Sequence, residues 1–264
     1  MPFKILYTAD LHGNQEYYKK LIAKAKDAEI KAVVIGGDLC PKGGPTVEDA
    51  VKIQKEFLEK FFIPELSKLK KDVFFIMGND DFRINETILK NANENLKYIN
   101  KKRFNLFNKN IVGYSFVNPT PFSLKDWEKF EDEKKEMPPQ THDYEIRTIK
   151  KEEGTIKVYL NNLIKLSNPK KAIYVIHAPP FNTKLDIISS RTHVGSKAIR
   201  EFIEKEQPYL TLHGHIHESP QMSGSYIDKI GKTACINVGS SYPENKLNGI
   251  IIDIDTLDIK YMEL

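Results

Sequence analysis

An α/β fold opening on parallel strands is what this sequence predicts, and three observations carry the prediction. Apolar runs (FKILYTA, AVVIGG, DVFFIMG, KAIYVIH, YLTLHG) read as buried strands. The first three alternate with amphipathic stretches, a β-α-β-α-β order that implies parallel strands with helical crossovers. Acidic, imidazole and amide side chains stand at the ends of these runs, where open parallel sheets gather their ligands.

Residues 3–9 are the first strand. A helix follows over about 14–28, because Tyr17, Tyr18, Leu21, Ile22 and Ala25 recur at helical spacing. The second strand is 32–36, and Gly36 with Gly37 turns the chain at its end. Pro41, Gly43, Gly44 and Pro45 make a loop. Thr46 with Asp49 behind it is an N-cap pattern for a helix reaching about Phe62. Residues 73–77 are the third strand, and 82–91 a short helix. Residues 96–117 carry alternating β-branched and aromatic side chains and predict short strands extending the same sheet. Residues 118–170 begin with a charged helical piece between prolines and turn helical again in their last part. This stretch reads equally as a cap over the site or as a peripheral insertion. A strand returns at 172–177, then a polar loop over 179–193 and a helix over 195–205 that Pro208 ends. Residues 210–264 are mostly strand, punctuated by Gly, Pro and Asn, and predict an antiparallel second sheet. No internal repeat or low-complexity linker interrupts the chain, so one domain over 1–264 is predicted.

The 264 residues are 40% hydrophobic and 29% charged, an ordinary globular balance. The net charge of +4 comes from interleaved lysines and acids without a polybasic block, so nucleic acid is not indicated as a partner. Cys40 and Cys235 are too few for a disulfide framework and fit a reducing compartment. The N-terminus enters a strand at once, unlike a signal peptide, and no apolar run approaches a membrane span. These features predict a cytoplasmic protein with no membrane partner.

The chemistry lies at the strand ends. Asp10 and His12 (TADLHGN), Asp38 (GGDL), Asn79 (GNDD), His177 (VIHAPP), and His215 with His217 (HGHIH) bring carboxylates, imidazoles and an amide oxygen to one edge. Such a set predicts a two-metal centre of the kind that hydrolyses phosphate esters. Imidazoles suit Zn, Fe, Mn or Ni, and mixed N/O shells with open positions favour hydrolysis over a structural role. Taken singly, each residue has a plainer reading: an aspartate after a strand caps the next helix, and His177 is a packed loop histidine.

Taken in order, the motifs resemble those of the calcineurin-like metallophosphoesterases: D-x-H, G-D, G-N-H-[DE], a lone His, and G-H-x-H. Here they read Asp10-Leu11-His12, Gly37-Asp38, Gly78-Asn79-Asp80-Asp81, His177, and Gly214-His215-Ile216-His217, spread over nearly the whole chain. The resemblance implies a four-layer α-β-β-α sandwich with two mixed β-sheets and metals at the sheet edge. It implies one ion on Asp10, His12, Asp38 and His217, and a second on Asp38, Asn79, His177 and His215, with Asp38 bridging. The ions are two divalent transition metals, manganese first, with iron, zinc or nickel as alternatives. They activate a water or hydroxide between them for in-line attack on phosphorus. The implied function is hydrolysis of a small phosphate ester or diester. The alternatives are a nuclease using Trp127 and Phe130 as aromatic platforms, and a non-catalytic scaffold, which would lose ligands that this chain keeps. Exposed aromatics in 118–170 would serve a cap or a dimer contact alike.

The chain departs from that pattern at Asp80, where the family has a histidine that contacts phosphate and serves as general acid. An ionised carboxylate repels phosphate, so Asp80 serves as an acid only with a raised pKa. His193 or Arg191, in SSRTHVGS, are the candidate substitutes; a leaving group that needs no proton is the third reading. Pro41 stands where many members have Asp or Asn, and Cys40 beside it reads as a buried filler or a redox-sensitive thiol. His213, His215 and His217 alternate, so an extended strand would present all three on one side; the resemblance uses the last two and leaves His213 structural. Ser196, at a helix start, is an N-cap or part of an anion site.

Overall fold

Among the described residues of this computed structural model, 2–242, 244 and 246–264, the strands assemble into two six-stranded sheets. The first holds β1 (Lys4–Thr8), β2 (Ile30–Ile35), β3 (Asp72–Phe75), β4 (Leu96–Tyr98), β11 (Asn248–Asp253) and β12 (Ile259–Glu263), in the order β12-β11-β1-β2-β3-β4. The second holds β5 (Arg103–Leu106), β6 (Lys109–Tyr114), β7 (Ala172–Ile176), β8 (Leu210–His213), β9 (Ile227–Ile230) and β10 (Thr233–Asn237), in the order β5-β6-β7-β8-β10-β9. Both sheets are mixed. β1 to β4 run parallel, with β11 and β12 antiparallel at one edge. β6, β7, β8 and β10 run parallel, with β5 and β9 antiparallel at opposite edges.

Alternation along the strands builds the layers. Ile5, Tyr7, Val34, Phe74, Ile173, Val175, Leu210 and Ile236 form the apolar filling between the sheets. Their neighbours Leu6, Val33, Ile35, Phe75, Tyr174 and Ile176 turn the other way, toward the helices. On the first sheet lie α1 (Gln15–Ala25), α2 (Val47–Phe57), α3 (Ile63–Ser67) and α4 (Glu86–Lys90); Tyr18, Phe62 and Phe75 meet edge-on there. On the second lie α5 (Ile156–Leu163) and α6 (Lys197–Glu206), with Phe202 against Tyr174; α7 (Ser219–Ser223) follows β8. The arrangement is the four-layer α-β-β-α sandwich. Asn14, Thr46 and Ser196 cap α1, α2 and α6 by accepting backbone N–H bonds. No helix among the described residues is long and apolar enough to cross a membrane.

Several local expectations are corrected. The segment from 210 onward does not form one antiparallel sheet. β8 and β10 join β7 in parallel, whereas β11 returns to the first sheet, where Ile250 pairs with Tyr7. Within 96–117 only β4 extends the first sheet, while β5 and β6 begin the second. The charged piece between prolines is irregular rather than helical, and its side chains bond backbone carbonyls both within the piece and far along the chain. Trp127 Nε1 donates to Asp81 O (2.8 Å), Lys125 Nζ donates to Thr120 O (2.7 Å), and Lys129 Nζ donates to Glu152 O (2.9 Å). The helix expected to end near Phe62 continues through a π turn (Leu58–Phe62) into α3.

Tyr7 ties the two sheets together: from β1 its buried hydroxyl donates to His213 O at the end of β8 (2.6 Å). Tyr7→Phe removes that bond and is expected to cost about 1–2 kcal/mol in urea unfolding. An unchanged midpoint would show that water satisfies the carbonyl instead.

Candidate metal centre

The carboxyl ends of the parallel strands from both sheets meet at one crest. Asp10 and His12 follow β1, Asp38 follows β2, Asn79 follows β3, His177 follows β7, and His215 with His217 follow β8. The backbone there is unusual: Asp10 (φ 56°), His12 (45°), Asp38 (49°) and His215 (68°) all adopt left-handed conformations. Such residues cost about 1–2 kcal/mol each over glycine and gather at functional sites. Local bonds hold them in place. Asp10 N donates to Gly37 O (3.0 Å), His12 N to Asp38 O (2.9 Å) and His215 N to the Asp10 carboxylate (3.1 Å). The turn at His215 also breaks the alternation that equal spacing implied. His213 points into the core, its Nδ1 2.9 and 2.8 Å from the Ile176 and Ala178 carbonyls and its Nε2 2.8 Å from Thr211 Oγ1.

Asp10, His12, Asp38 and His217 offer ligand atoms that all lie within 4.8 Å of one another. His12 Nε2 and His217 Nε2 are 3.0 Å apart. Two imidazole nitrogens in adjacent positions around one cation, each at about 2.1 Å, stand about 3 Å apart. A second group converges beside the first: His177 Nε2 lies 3.1 Å from Asn79 Oδ1 and 3.4 Å from Asp38 Oδ2, and the His215 ring is 5.3 Å from that of His177. Asp38 Oδ2 is also 3.9 Å from His12 Nε2, so its carboxylate lies between both groups. His177 Nδ1 is 2.8 Å from Gly36 O, which makes Nδ1 the donor there and leaves Nε2 as the nitrogen that a metal would take once its proton is lost. Gly78 packs so tightly that a Cβ there would collide with the Asp38 carboxylate and His177. The donor set fits borderline transition metals.

Electrostatics favour a cation. Burial disfavours ionised Asp38, yet His177 holds its pKa well below the ordinary carboxylate range. Burial likewise disfavours the His177 imidazolium, but Asp38 and then Asp10 outweigh it and raise that pKa to about 9. Burial pushes His12 down to about 4. His215 falls to about 3 through burial and the nearby His177. The carboxylates thus recruit positive charge, while two imidazoles stay neutral and ready to ligate.

The residues around the centre divide by what they touch. Asp80 reaches the site, but both its oxygens are engaged: Oδ2 pairs with Lys42 Nζ (2.6 Å) and Oδ1 accepts from Asn79 Nδ2 (3.1 Å). Burial and Asp38 raise its pKa, and Lys42 opposes them. Lys42 escaped the sequence reading; it sits in a Gly/Pro loop without periodicity, where a lysine looks merely solvated. Asp81 is buried and accepts from Leu39 N (3.0 Å), Cys40 N (2.8 Å) and Gly78 N (2.9 Å), bracing the loops after β2 and β3. Cys40 is a buried filler whose thiol pKa burial pushes well up, not a reactive thiol.

A cavity of about 820 Å³ opens over the centre. Asp38, Asn79, Asp80, His215 and His217 line it on one side, and Pro119, Pro121, Phe122, Met137 and Pro138, from the 118–138 segment, line it as well. His193 lines it too, with Nδ1 2.7 Å from Asp186 Oδ1. Arg191 is not among the lining residues: it is exposed and donates to Met222 O (2.7 Å). Trp127 is fully buried and offers no stacking platform. Ser196 caps α6, and the Glu131 carboxylate fills the anion position beside it, accepting from Ser196 Oγ (2.7 Å), Lys197 N (2.9 Å) and Ala198 N (3.1 Å).

Comparison with known proteins agrees with this geometry. A family model described as calcineurin-like phosphoesterase matches residues 3–219. An uncharacterized protein of Methanocaldococcus jannaschii is 31% identical over 259 residues, 95% of each chain. Among solved structures, a Thermus thermophilus protein superposes with TM-score 0.66 at 16% identity, covering 99% of each chain. A structure described as a novel archaeal phosphodiesterase superposes with TM-score 0.52 at 14% identity, covering 99% of this chain and 100% of its own. At these identities the solved structures speak for the fold alone.

Two predictions follow from the crest. His177 is protonated below about pH 9, so a metal ion must displace that proton. Apparent Mn²⁺ affinity should rise with pH up to about 9 and then level off, with proton release visible by calorimetry in two buffers. A flat profile would contradict the assigned protonation. In metal-free protein, Asp38→Gly should unfold about 1 kcal/mol later than Asp38→Ala, because only glycine accepts the left-handed backbone without strain. Equal stabilities would show that the turn relaxes.

Proposed function

We propose that this chain, which belongs to the calcineurin-like phosphoesterase family, hydrolyses a small organic phosphate ester or diester at a dinuclear metal centre on the crest. The observation that carries the reading is the convergence of two ligand groups on the one carboxylate of Asp38, 3.9 Å from His12 Nε2 and 3.4 Å from His177 Nε2. In this reading Asp10, His12, Asp38 and His217 hold one ion and Asp38, Asn79, His177 and His215 the other. Manganese suits the mixed N/O set, and iron, zinc or nickel fit the same donors. Ions bound there supply Lewis acidity toward water and phosphate.

The chain's own residues do the rest. Asp80 Oδ1 accepts from Asn79 Nδ2, which turns the Asn79 carbonyl oxygen toward His177 and the second group. The cavity wall receives the organic part of the ester on Phe122 and Met137, apolar side chains that are 55% and 41% exposed. A pocket of this size and lining suits an organic substituent rather than inorganic phosphate alone. His193 is the general acid. Its Nδ1–H donates to Asp186, which is buried and fixed by the N–H groups of Asn182, Thr183 and Gly195. That leaves Nε2 to carry the proton for the leaving-group oxygen. The unpaired cysteines are consistent with a cytoplasmic setting.

The test is hydrolysis of an aryl phosphodiester and the matching monoester by metal-stripped protein reloaded with Mn²⁺. Asp38→Ala should lose at least about 100-fold in kcat/KM; full activity in that variant would end the dinuclear reading. His193→Gln should lower kcat by about 100-fold or more for an alkyl ester but little for a nitrophenyl ester, whose leaving group needs no proton. Equal losses on both esters would remove His193 as the acid.

A further inference from the structure

Building on the phosphoesterase reading, we propose that Lys42 is the cation that binds the substrate's non-bridging phosphoryl oxygens, and that Asp80 is the positioning residue that holds it there. Lys42 lies in the Gly/Pro loop after Asp38, and its side chain is 45% exposed. A solvated lysine on such a loop would ordinarily extend into water. This one turns inward, puts Nζ 2.6 Å from Asp80 Oδ2, and lines the same cavity as Asp38, Asn79, His215 and His217. Its charge acts on His12 and His217, and it in turn feels Asp38 and Asp10. The ammonium therefore acts on the group formed by Asp10, His12, Asp38 and His217, while its ion pair is with Asp80.

Stability does not explain that placement, because an ion pair this exposed adds little. The chemistry of the site does. A bare carboxylate at position 80 would repel an incoming phosphate. Paired with Lys42, it presents a near-neutral unit whose ammonium keeps further N–H donors after one is given to Asp80. Asp80 is anchored on three sides: its backbone N donates to Asp38 Oδ1 (2.8 Å), Oδ1 accepts from Asn79, and Oδ2 takes Lys42. A carboxylate so engaged is a bracket rather than a proton donor. Of the other lysines that line the cavity, Lys157 pairs with Glu201 (2.9 Å) and Lys197 with Glu136 (3.7 Å), while Lys134 is exposed. Lys42 is the cation placed to meet phosphate where the resemblance expects a histidine.

The experiment measures inorganic phosphate affinity by calorimetry on Mn²⁺-loaded protein, with KM and kcat alongside. Lys42→Met should weaken phosphate binding and raise KM by about tenfold or more, while Mn²⁺ affinity stays within about twofold of wild type. Lys42→Arg should keep most of the phosphate affinity. Asp80→Asn should raise KM in the wild-type background and have little further effect on top of Lys42→Met, as expected of a residue acting through the lysine. Wild-type phosphate affinity in Lys42→Met overturns the proposal, and so does an Asp80→Asn loss in kcat that persists undiminished in the double variant. Wild-type protein that takes up Mn²⁺ but neither binds phosphate nor turns over an ester would instead sink the phosphoesterase reading, and this proposal with it.

Discussion

The buried carboxylate of Asp38 is the constraint around which the crest is arranged. It sits on left-handed backbone at the end of β2, accepts from Asp80 N, and faces His12 on one side and His177 on the other. Gly78 has no side chain because the Asp38 carboxylate and His177 occupy that space. Asp81 accepts three backbone N–H groups from the loops after β2 and β3, so both loops keep a fixed distance to Asp38. A buried charge of this kind is costly unless partners surround it. Here the partners are the residues that make the site chemically useful.

The fold supplies this crest by packing two sheets face to face with the carboxyl ends of their parallel strands on the same side. Apolar side chains between the sheets fix their mutual position, and the Tyr7 hydroxyl ties β1 to the end of β8. The ligands are then delivered by turns rather than by the strands themselves, which is why so many carry positive φ. Strain at the turns is offset by the apolar layers beneath them. The 118–138 segment adds the wall of the cavity, held down by Trp127, Lys129 and Glu131 through bonds to distant backbone.

The strand ends and the polar residues on them were legible because a buried strand has a short, clear apolar signature and its terminus is easy to find. Sheet membership was not. Which strand β11 pairs with depends on contacts with β1 across nearly the whole chain, and no local pattern encodes that. The charged stretch around Trp127 looked helical because lysines and acids mix in it, yet Trp127 and Lys129 bond backbone carbonyls of Asp81 and Glu152, far along the chain. His213, His215 and His217 looked equivalent by spacing, and only the turn at His215 separates the core histidine from the other two. Lys42 was invisible for a related reason: its role rests on Asp80, distant in sequence and beside it in space.

The central claim is that one carboxylate joins two ligand groups into a single dinuclear centre. It is tested most directly by electron paramagnetic resonance of protein titrated with Mn²⁺, read beside the bound-metal content. The account predicts two ions per chain and the multiline signal of an exchange-coupled pair, with Asp38→Ala reduced to uncoupled Mn²⁺. A single uncoupled ion per wild-type chain at saturation would contradict it.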